Sequence, residues 1–464
     1  MDRLSQDILD MIFEEYVYSY SFEEHNGNGN TVGHIGPPPF DLLLVCHRWK
    51  NIVRWNRKLF TRIFLVDNRF DVAWIIPTWI RFSGSLPLEV IISPERWDGT
   101  VDGKTALLES FVNQMHRIRT LTVTFTPFFD TLFPAENTTV APGLQELHIF
   151  APQIINDNWV SRSSGVVAEN LRSLVFNTKV AFHNANFALG LSLISFDGRG
   201  SVEGAQATIK LLSMCPNLRK CFLGFRESNS DSDADLIHLN PAQIPLEHLV
   251  LFDIKIHKSI IGRLPTARFQ NLVDLLDTPS LMQLKLDASD IPELQSIHHF
   301  PHWTLTLAAN SPSSGIFDAH MGKPIERWLA RSRPPLRQLS LVSFSGMAAE
   351  TFRHILEAVP TVSELELRGW TLTQAQLSVL DGRLNPSICP LLKTISFHSS
   401  TIPMEFENFL SVVGTRWVTD TDECLLAKLV ISNVKDGYNL PVLFTRFTYL
   451  ESLVKSLPNL IIQL

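Results

Sequence analysis

Apolar residues along most of the chain recur with the spacing apolar-x-x-apolar-x-apolar, starting near residue 84. The last three positions alternate as in a β-strand with one buried face, and the leading apolar residue turns the chain into that strand. Clear copies of the phrase begin at Ile118, Leu144, Leu171, Leu191, Leu218, Leu246, Leu281, Leu336, Val362, Leu392 and Leu426, and a weaker copy begins at His302. The pattern predicts about a dozen short strands.

Helical stretches are predicted between these phrases. Residues 208–214 precede Pro216 and residues 351–359 precede Pro360, and a proline stops a helix before the next strand. Because a strand–helix unit cannot bury its own apolar face, neighbouring units must stack. Copies about 20 to 35 residues apart are typical of leucine-rich repeats. The prediction for residues 84–464 is therefore an irregular leucine-rich-repeat α/β solenoid with a parallel concave sheet.

A doubly wound α/β domain is the alternative interpretation of this part of the chain. It predicts fewer and longer strands and a glycine-rich phosphate-binding turn. Gly198 and Gly200 could begin such a turn, but Glu203 stands where the third glycine belongs. The repeat interpretation is therefore favoured.

The first 60 or so residues predict a small helical module with two wide apolar stripes. Three short helices cannot bury that much apolar surface alone, so part of it is expected to face a partner or to cap the next domain. The first stripe carries Leu4, Ile8, Met11 and Ile12; the second carries Leu42, Val45, Cys46, Trp49 and Val53.

This module resembles an F-box, the helical element that joins a protein to the Skp-type adaptor of a cullin–RING ubiquitin ligase. Two departures from the family pattern are Ser5 in place of proline and a loop insertion at about residues 19–39. The matching residues are Leu4, Asp7, Ile8, Leu9, Ile12 and Phe13, then Val45, Cys46, Arg48 and Trp49, then Leu59, Phe60 and Ile63.

Residues 79–90 resemble the link from helix to first strand in large fungal F-box families with degenerate repeats. A similar segment recurs at residues 328–336. The resemblance divides the chain into an F-box at residues 1–65, a linker helix at 66–83 and repeats at 84–464.

The resemblance implies a substrate-recognition subunit of a Skp–cullin–F-box ligase, which has no catalytic residue of its own. The alternative is a ligase-independent leucine-rich-repeat scaffold for protein interactions. Adaptor contacts are expected at Leu4, Ile8, Leu9, Ile12, Leu43, Val45 and Trp49. Contacts to an unidentified target protein are expected on the sheet, at Arg172, Arg219, Lys220, Glu247, Lys285, Arg337, Glu364 and Lys393.

Composition and net charge argue against nucleic acid and membranes as partners of this chain. The 464 residues are 45% apolar, and 40 basic against 47 acidic residues give a net charge of −7, which does not favour nucleic acid as a partner. No apolar run reaches the roughly 18 residues that span a bilayer, and the charged start does not resemble a secretory signal. Five scattered cysteines fit a reducing compartment, so a cytoplasmic or nuclear location without membrane partners is expected.

The sequence contains few candidates for a metal site or a catalytic site. Asp231, Asp233 and Asp235 mimic a calcium loop, but Leu236 and Ala242 occupy the positions of its glycine and glutamate. The neighbouring residues His298, His299 and His302 lack the further ligands of a zinc site. No nucleophile elbow, Walker loop or zinc-protease motif is present. We therefore expect no metal, no cofactor and no enzymatic activity.

Overall fold

The computed structural model divides the chain into two compact units, Met1–Leu193 and Ile194–Leu464. Each unit is described by itself. The structure describes residues 4–19, 39–65, 72–92, 110–124, 139–150, 166–177, 188–189, 192–203, 205–226, 243–257, 267–288, 321–344, 346–401, 409, 412–413, 428–432 and 461–463.

The first unit begins with helices and continues as a parallel sheet. The neighbouring pairs β1–β2, β2–β3, β3–β5 and β5–β7 are all parallel, and β4, β6 and β8 form a separate small parallel sheet. The elements are α1 (Gln6–Ser19), α2 (Leu42–Val45), α3 (His47–Trp55), a 3-10 turn (Arg57–Phe60), β1 (Arg62–Leu65), α4 (Val72–Ser83), β2 (Leu88–Ile92), β3 (Ile118–Thr124), β4 (Thr139–Val140), β5 (Glu146–Phe150), β6 (Val166–Ala168), β7 (Ser173–Asn177) and β8 (Ala188–Leu189).

The second unit alternates strands with helices. Its main sheet is parallel throughout in the order β9-β10-β12-β14-β15-β16-β17-β18-β19, and β11 pairs separately with β13. The elements are β9 (Ser195–Glu203), α5 (Ala205–Met214), β10 (Lys220–Arg226), β11 (Ile244–Pro245), β12 (Leu251–His257), α6 (Ala267–Leu275), β13 (Leu276–Asp277), β14 (Gln283–Asp287), α7 (Lys323–Ser332), β15 (Gln338–Val342), α8 (Ala349–Ala358), β16 (Glu364–Arg368), α9 (Gln374–Leu380), β17 (Thr394–His398), β18 (Lys428–Ser432) and β19 (Ile461–Gln463).

Stacked copies of the phrase build the sheet of the second unit. Leu284 of β14 is in register with Leu339 of β15, which is in register with Leu365 of β16 and Ile395 of β17. All four side chains are buried, so each repeat covers the apolar face of the next. The prediction of an α/β fold, with helices followed by strand repeats in a parallel sheet, is confirmed.

For two copies of the phrase, the predicted buried strand positions are wrong. The copy at Leu246 predicts Leu249 and Leu251 as the buried strand positions, but β12 begins at Leu251, and Phe252 and Ile254 are buried in register with Leu284 and Leu286. The copy at Leu191 is likewise displaced by two residues, since Phe196 pairs with Cys221.

An additional buried residue explains the error in β12. Several residues that lead into a strand donate their backbone N–H to the carbonyl of a buried residue three positions earlier, as Leu144 does to Ala141 and Leu392 does to Cys389. Apolar residues therefore occur at three-residue intervals before the strand as well as at its start. Leu246, Leu249 and Phe252 are three residues apart from one another, so the spacing alone does not identify which of them lies in the strand.

The predicted helices are confirmed, and the two similar tryptophan-containing segments adopt similar local structure. The stretch at 208–214 lies in α5, and the stretch at 351–359 lies in α8 except for Val359, which follows its last residue. Trp79 in α4 and Trp328 in α7 are both fully buried, and both helices end in the left-handed conformation, at Gly84 (φ 60°) and Arg333 (φ 42°). Glycine adopts this conformation without a Cβ penalty, whereas arginine does not.

Some predictions fall outside the described residues. These are most of the loop insertion at about 19–39, the weak phrase at His302, the acidic loop at 231–235 and the histidines at 298–302. Within the described part of the chain, no helix has the length and apolar character needed to cross a membrane.

Candidate docking surface on the N-terminal helices

Helix α1 buries one stripe in the core of its own unit. Leu9, Phe13 and Val17 are almost inaccessible, as expected for residues four apart on one helix face. The rings of Phe13 and Trp49 meet edge to face, with centroids 4.7 Å apart, which fixes α1 against α3.

Polar contacts set the positions of these short helices. The Asn56 amide donates to Asp10 at 3.0 Å, and the Arg48 guanidinium donates to the carbonyl of Leu4. The second contact brings the α2–α3 junction next to the start of α1. The Cys46 sulfur accepts from the backbone N–H of Trp49 at 3.5 Å and caps α3.

An aromatic cluster joins the helices to α4. Phe40 lies 5.1 Å from Trp79 and 5.8 Å from Phe60, and Phe60 lies 4.9 Å from Phe82, measured between ring centroids. Strand β1 follows directly, and its Arg62 donates to the carbonyl of Tyr18 at 3.0 Å. The helices are therefore held in place by buried contacts on the side that faces the sheet.

The second apolar stripe of α1 remains uncovered. Ile8 is 45% exposed, Met11 71% and Ile12 47%, although buried aliphatic side chains are worth about 1.5–3 kcal/mol each. We name the exposed apolar residues of this region the apolar patch: Leu4, Ile8, Met11, Ile12, Leu44 and Val45. Ile8, Met11 and Ile12 lie three and four residues apart on one helix face, and exposed apolar surface of this kind typically marks an interaction site.

The predicted adaptor residues divide between this patch and the core beneath it. Leu43 and Trp49 are half-buried, while Leu9 is only 2% exposed and supports the patch from below. The patch itself holds Leu4, Ile8, Ile12 and Val45. It also includes Met11 and Leu44, which were not among the predicted contacts; Met11 already belonged to the apolar stripe in the sequence.

A second candidate surface is the exposed face of the sheet in the second unit. Side chains at alternate strand positions line a shallow groove of about 350 Å³. Of the predicted target contacts, Lys285 and Glu364 lie in this groove. The other contacts are exposed elsewhere: Lys220 opens β10, Arg219, Arg337 and Lys393 precede their strands, Glu247 lies in a turn, and Arg172 precedes β7 in the first unit.

The groove carries charges of both signs. Lys285 lies 3.7 Å from Asp253, and the Gln338 amide donates to Glu364 at 2.6 Å. Glu366 is 3.2 Å from Arg368. The lining itself contains one cation, Lys285, and three carboxylates, Asp253, Glu364 and Glu366, so the groove is net acidic.

Burial shifts the pKa of groups on both sheets. Burial lowers the pKa of His398, with Glu366 opposing the shift, and it lowers the pKa of His148 in the first unit. Burial raises the pKa of the Cys215 thiol to about 12 and that of Cys221 well above its ordinary value. These thiols act as small apolar core residues, as predicted for Cys221.

Metal ligands do not gather in the described residues, where no group of three His, Cys, Asp or Glu side chains could hold an ion. The described cysteines are all free thiols: Cys46, Cys215, Cys221 and Cys389.

No family model matches the chain, and the comparison with curated proteins finds no match. The leucine-rich repeat-containing protein LegL7 from Legionella pneumophila is 10% identical over 85% of this chain and 96% of that chain, with a TM-score of 0.32. The solved TLR13–ssRNA13 complex is 12% identical over 77% of this chain and 46% of that chain, with a TM-score of 0.28. Scores of this size carry no argument, so the repeat architecture rests on the strand register described above.

Proposed function

We propose that this chain is the substrate-recognition subunit of a Skp–cullin–F-box ubiquitin ligase. The observation that carries the proposal is the apolar patch, which includes four of the seven residues where the F-box resemblance expects adaptor contacts: Leu4, Ile8, Ile12 and Val45. A partner helix that covered the patch would remove Ile8, Met11 and Ile12 from water, and apolar anchors of this kind contribute about 2–4 kcal/mol each.

The repeats have a separate role in this proposal. The exposed sheet face would hold a target protein while the helices hold the adaptor. Joining both on one chain raises the effective concentration of target at the ligase, so the chain needs no catalytic group.

Binding to a purified Skp-type adaptor tests the proposal directly. We expect Ile8→Asp to weaken binding at least 30-fold, because a charge would be buried among apolar side chains. Leu384→Asp is the matched control, since Leu384 is likewise an exposed apolar residue, 67% exposed, in the second unit. Isothermal titration with the full chain gives both affinities. Equal binding by wild type and Ile8→Asp would contradict the proposal.

A ligase-independent repeat scaffold is the second candidate. It is favoured by the aromatic cluster of Phe40, Phe60, Trp79 and Phe82, through which the helices cover the start of the sheet as a cap does. A cap, however, does not require apolar residues on its outer face. Hydrogen exchange separates the two: adaptor addition should slow exchange in α1 of a receptor, and should leave a cap unchanged.

A further inference from the structure

Helix α3 lies in the most basic stretch of an acidic chain. Residues 42–66 contain no Asp or Glu, although the whole chain has a net charge of −7. The stretch carries six cations: Arg48, Lys50, Arg54, Arg57, Lys58 and Arg62.

Four of these cations already have a partner or a packing contact. Arg62 pairs with Glu89 at 3.0 Å, and Lys58 lies 3.7 Å from Glu14. Arg48 donates to the Leu4 carbonyl, and the Arg57 side chain packs against Gly84. Within the described part of the chain, Lys50 and Arg54 have no ion-pair partner.

These two cations and an exposed tryptophan lie on the solvent-facing side of α3. Ile52 and Val53 are buried, whereas Arg54 is exposed and Trp55 is 83% exposed. Lys50, which is half-buried, lies beside Arg54 because the two are four residues apart, and Trp55 follows Arg54 about 100° further round the helix. An uncovered indole beside two cations combines an apolar anchor with a charged rim, as interaction hot spots do.

We infer that this face of α3, formed by Lys50, Arg54 and Trp55, binds an acidic polypeptide segment. Carboxylates spaced along such a segment would pair with Lys50 and Arg54, and one apolar side chain would pack on the indole. The inference does not depend on the proposed adaptor contact, because none of these three residues belongs to the apolar patch.

Other anionic partners fit this surface less well. Membrane-binding helices present a broad apolar face, but the apolar face of α3 is buried and Trp55 stands alone. Single-stranded nucleic acid is bound by several stacking aromatics along a basic groove, and this face offers one aromatic residue.

Fluorescence polarisation with the full chain tests the inference. The probe is a short fluorescein-labelled peptide of glutamate and aspartate with two leucines. We expect the double variant Lys50→Glu and Arg54→Glu to weaken binding roughly 10-fold, and Trp55→Ala to weaken it several-fold. Binding should also weaken as salt rises from roughly 50 to 300 mM, because exposed charges are screened.

The matched control reverses two exposed cations of the second unit that are outside the predicted target contacts, Arg327→Glu and Arg333→Glu, which changes net charge by the same amount. We expect this control and Ile8→Asp to bind the peptide as wild type does. The inference is overturned if the Lys50 and Arg54 reversal has no effect or if the control loses binding equally. Tighter binding of phosphatidylserine vesicles or single-stranded RNA than of the peptide would also overturn it.

Discussion

Helix α1 and helix α8 are both amphipathic, but they use their outer faces differently. Helix α8 buries Phe352, Ile355 and Leu356 and presents Glu350, Arg353 and His354 to solvent. Helix α1 buries Leu9, Phe13 and Val17 and still exposes the aliphatic residues of the apolar patch.

Two carboxylates lie beside the histidine on the outer face of α8. His354 lies 3.1 Å from Glu326 of α7 and 3.2 Å from Glu350. Helix α1 instead carries more apolar residues than its own core accommodates. Helix α8 therefore covers its large apolar residues by packing, whereas α1 leaves part of its apolar surface exposed to solvent.

The N-terminal helices and the repeats should differ most strongly in the reactivity of their cysteine thiols. Cys46 is exposed, whereas Cys215 is buried with its pKa raised from 9.0 to about 12. At pH 8 the raised pKa keeps Cys215 protonated and makes its thiolate about 1000-fold rarer than that of a thiol with a pKa of 9.0. At pH 8 we expect iodoacetamide to modify Cys46 and not Cys215.

Peptide mass spectrometry identifies the modified thiols, and Cys46→Ser is the control that should remove the fast reaction. Equal labelling of Cys215 and Cys46 would show that the repeat region opens as readily as the helices.

Replacing one isoleucine of α8 with alanine should lower stability, whereas the same change in α1 should weaken adaptor binding. Ile355→Ala removes a fully buried side chain and should lower the free energy of unfolding by about 2–5 kcal/mol. Ile12→Ala should change it by less than about 0.5 kcal/mol and instead weaken adaptor binding. Urea unfolding and adaptor titration measure the two effects. A large stability loss in Ile12→Ala would make α1 an ordinary core helix.

Changes on the outer faces should have the smallest effect on stability. Glu350→Gln removes the carboxylate beside His354 and should cost less than about 1 kcal/mol, because the site is exposed. Met11→Lys should be neutral for the same reason. Thermal unfolding at low and high salt checks both, and only the Glu350→Gln effect should shrink as salt rises.

The strand repeats were predictable because their spacing is local. Residues such as Leu281, Leu284 and Leu286 fall at strand positions that the sequence alone identifies. The phase of the copies at Leu191 and Leu246 was not predictable, because additional apolar residues stand at intervals of two or three positions. Only pairing with the next strand selects Phe252 over Leu249 for the buried strand position.

By itself the sequence determined the α/β repeat architecture and the wide apolar stripe at the N-terminus, because side-chain periodicity follows directly from local backbone geometry. Only the tertiary structure decided that Leu9 lies in the core while Ile8 and Ile12 face solvent. The same holds for Trp49, which the sequence predicts as an adaptor contact and which the structure leaves half-buried against Phe13. Burial depends on which neighbouring element covers a side chain, and that is a property of packing between segments distant along the chain.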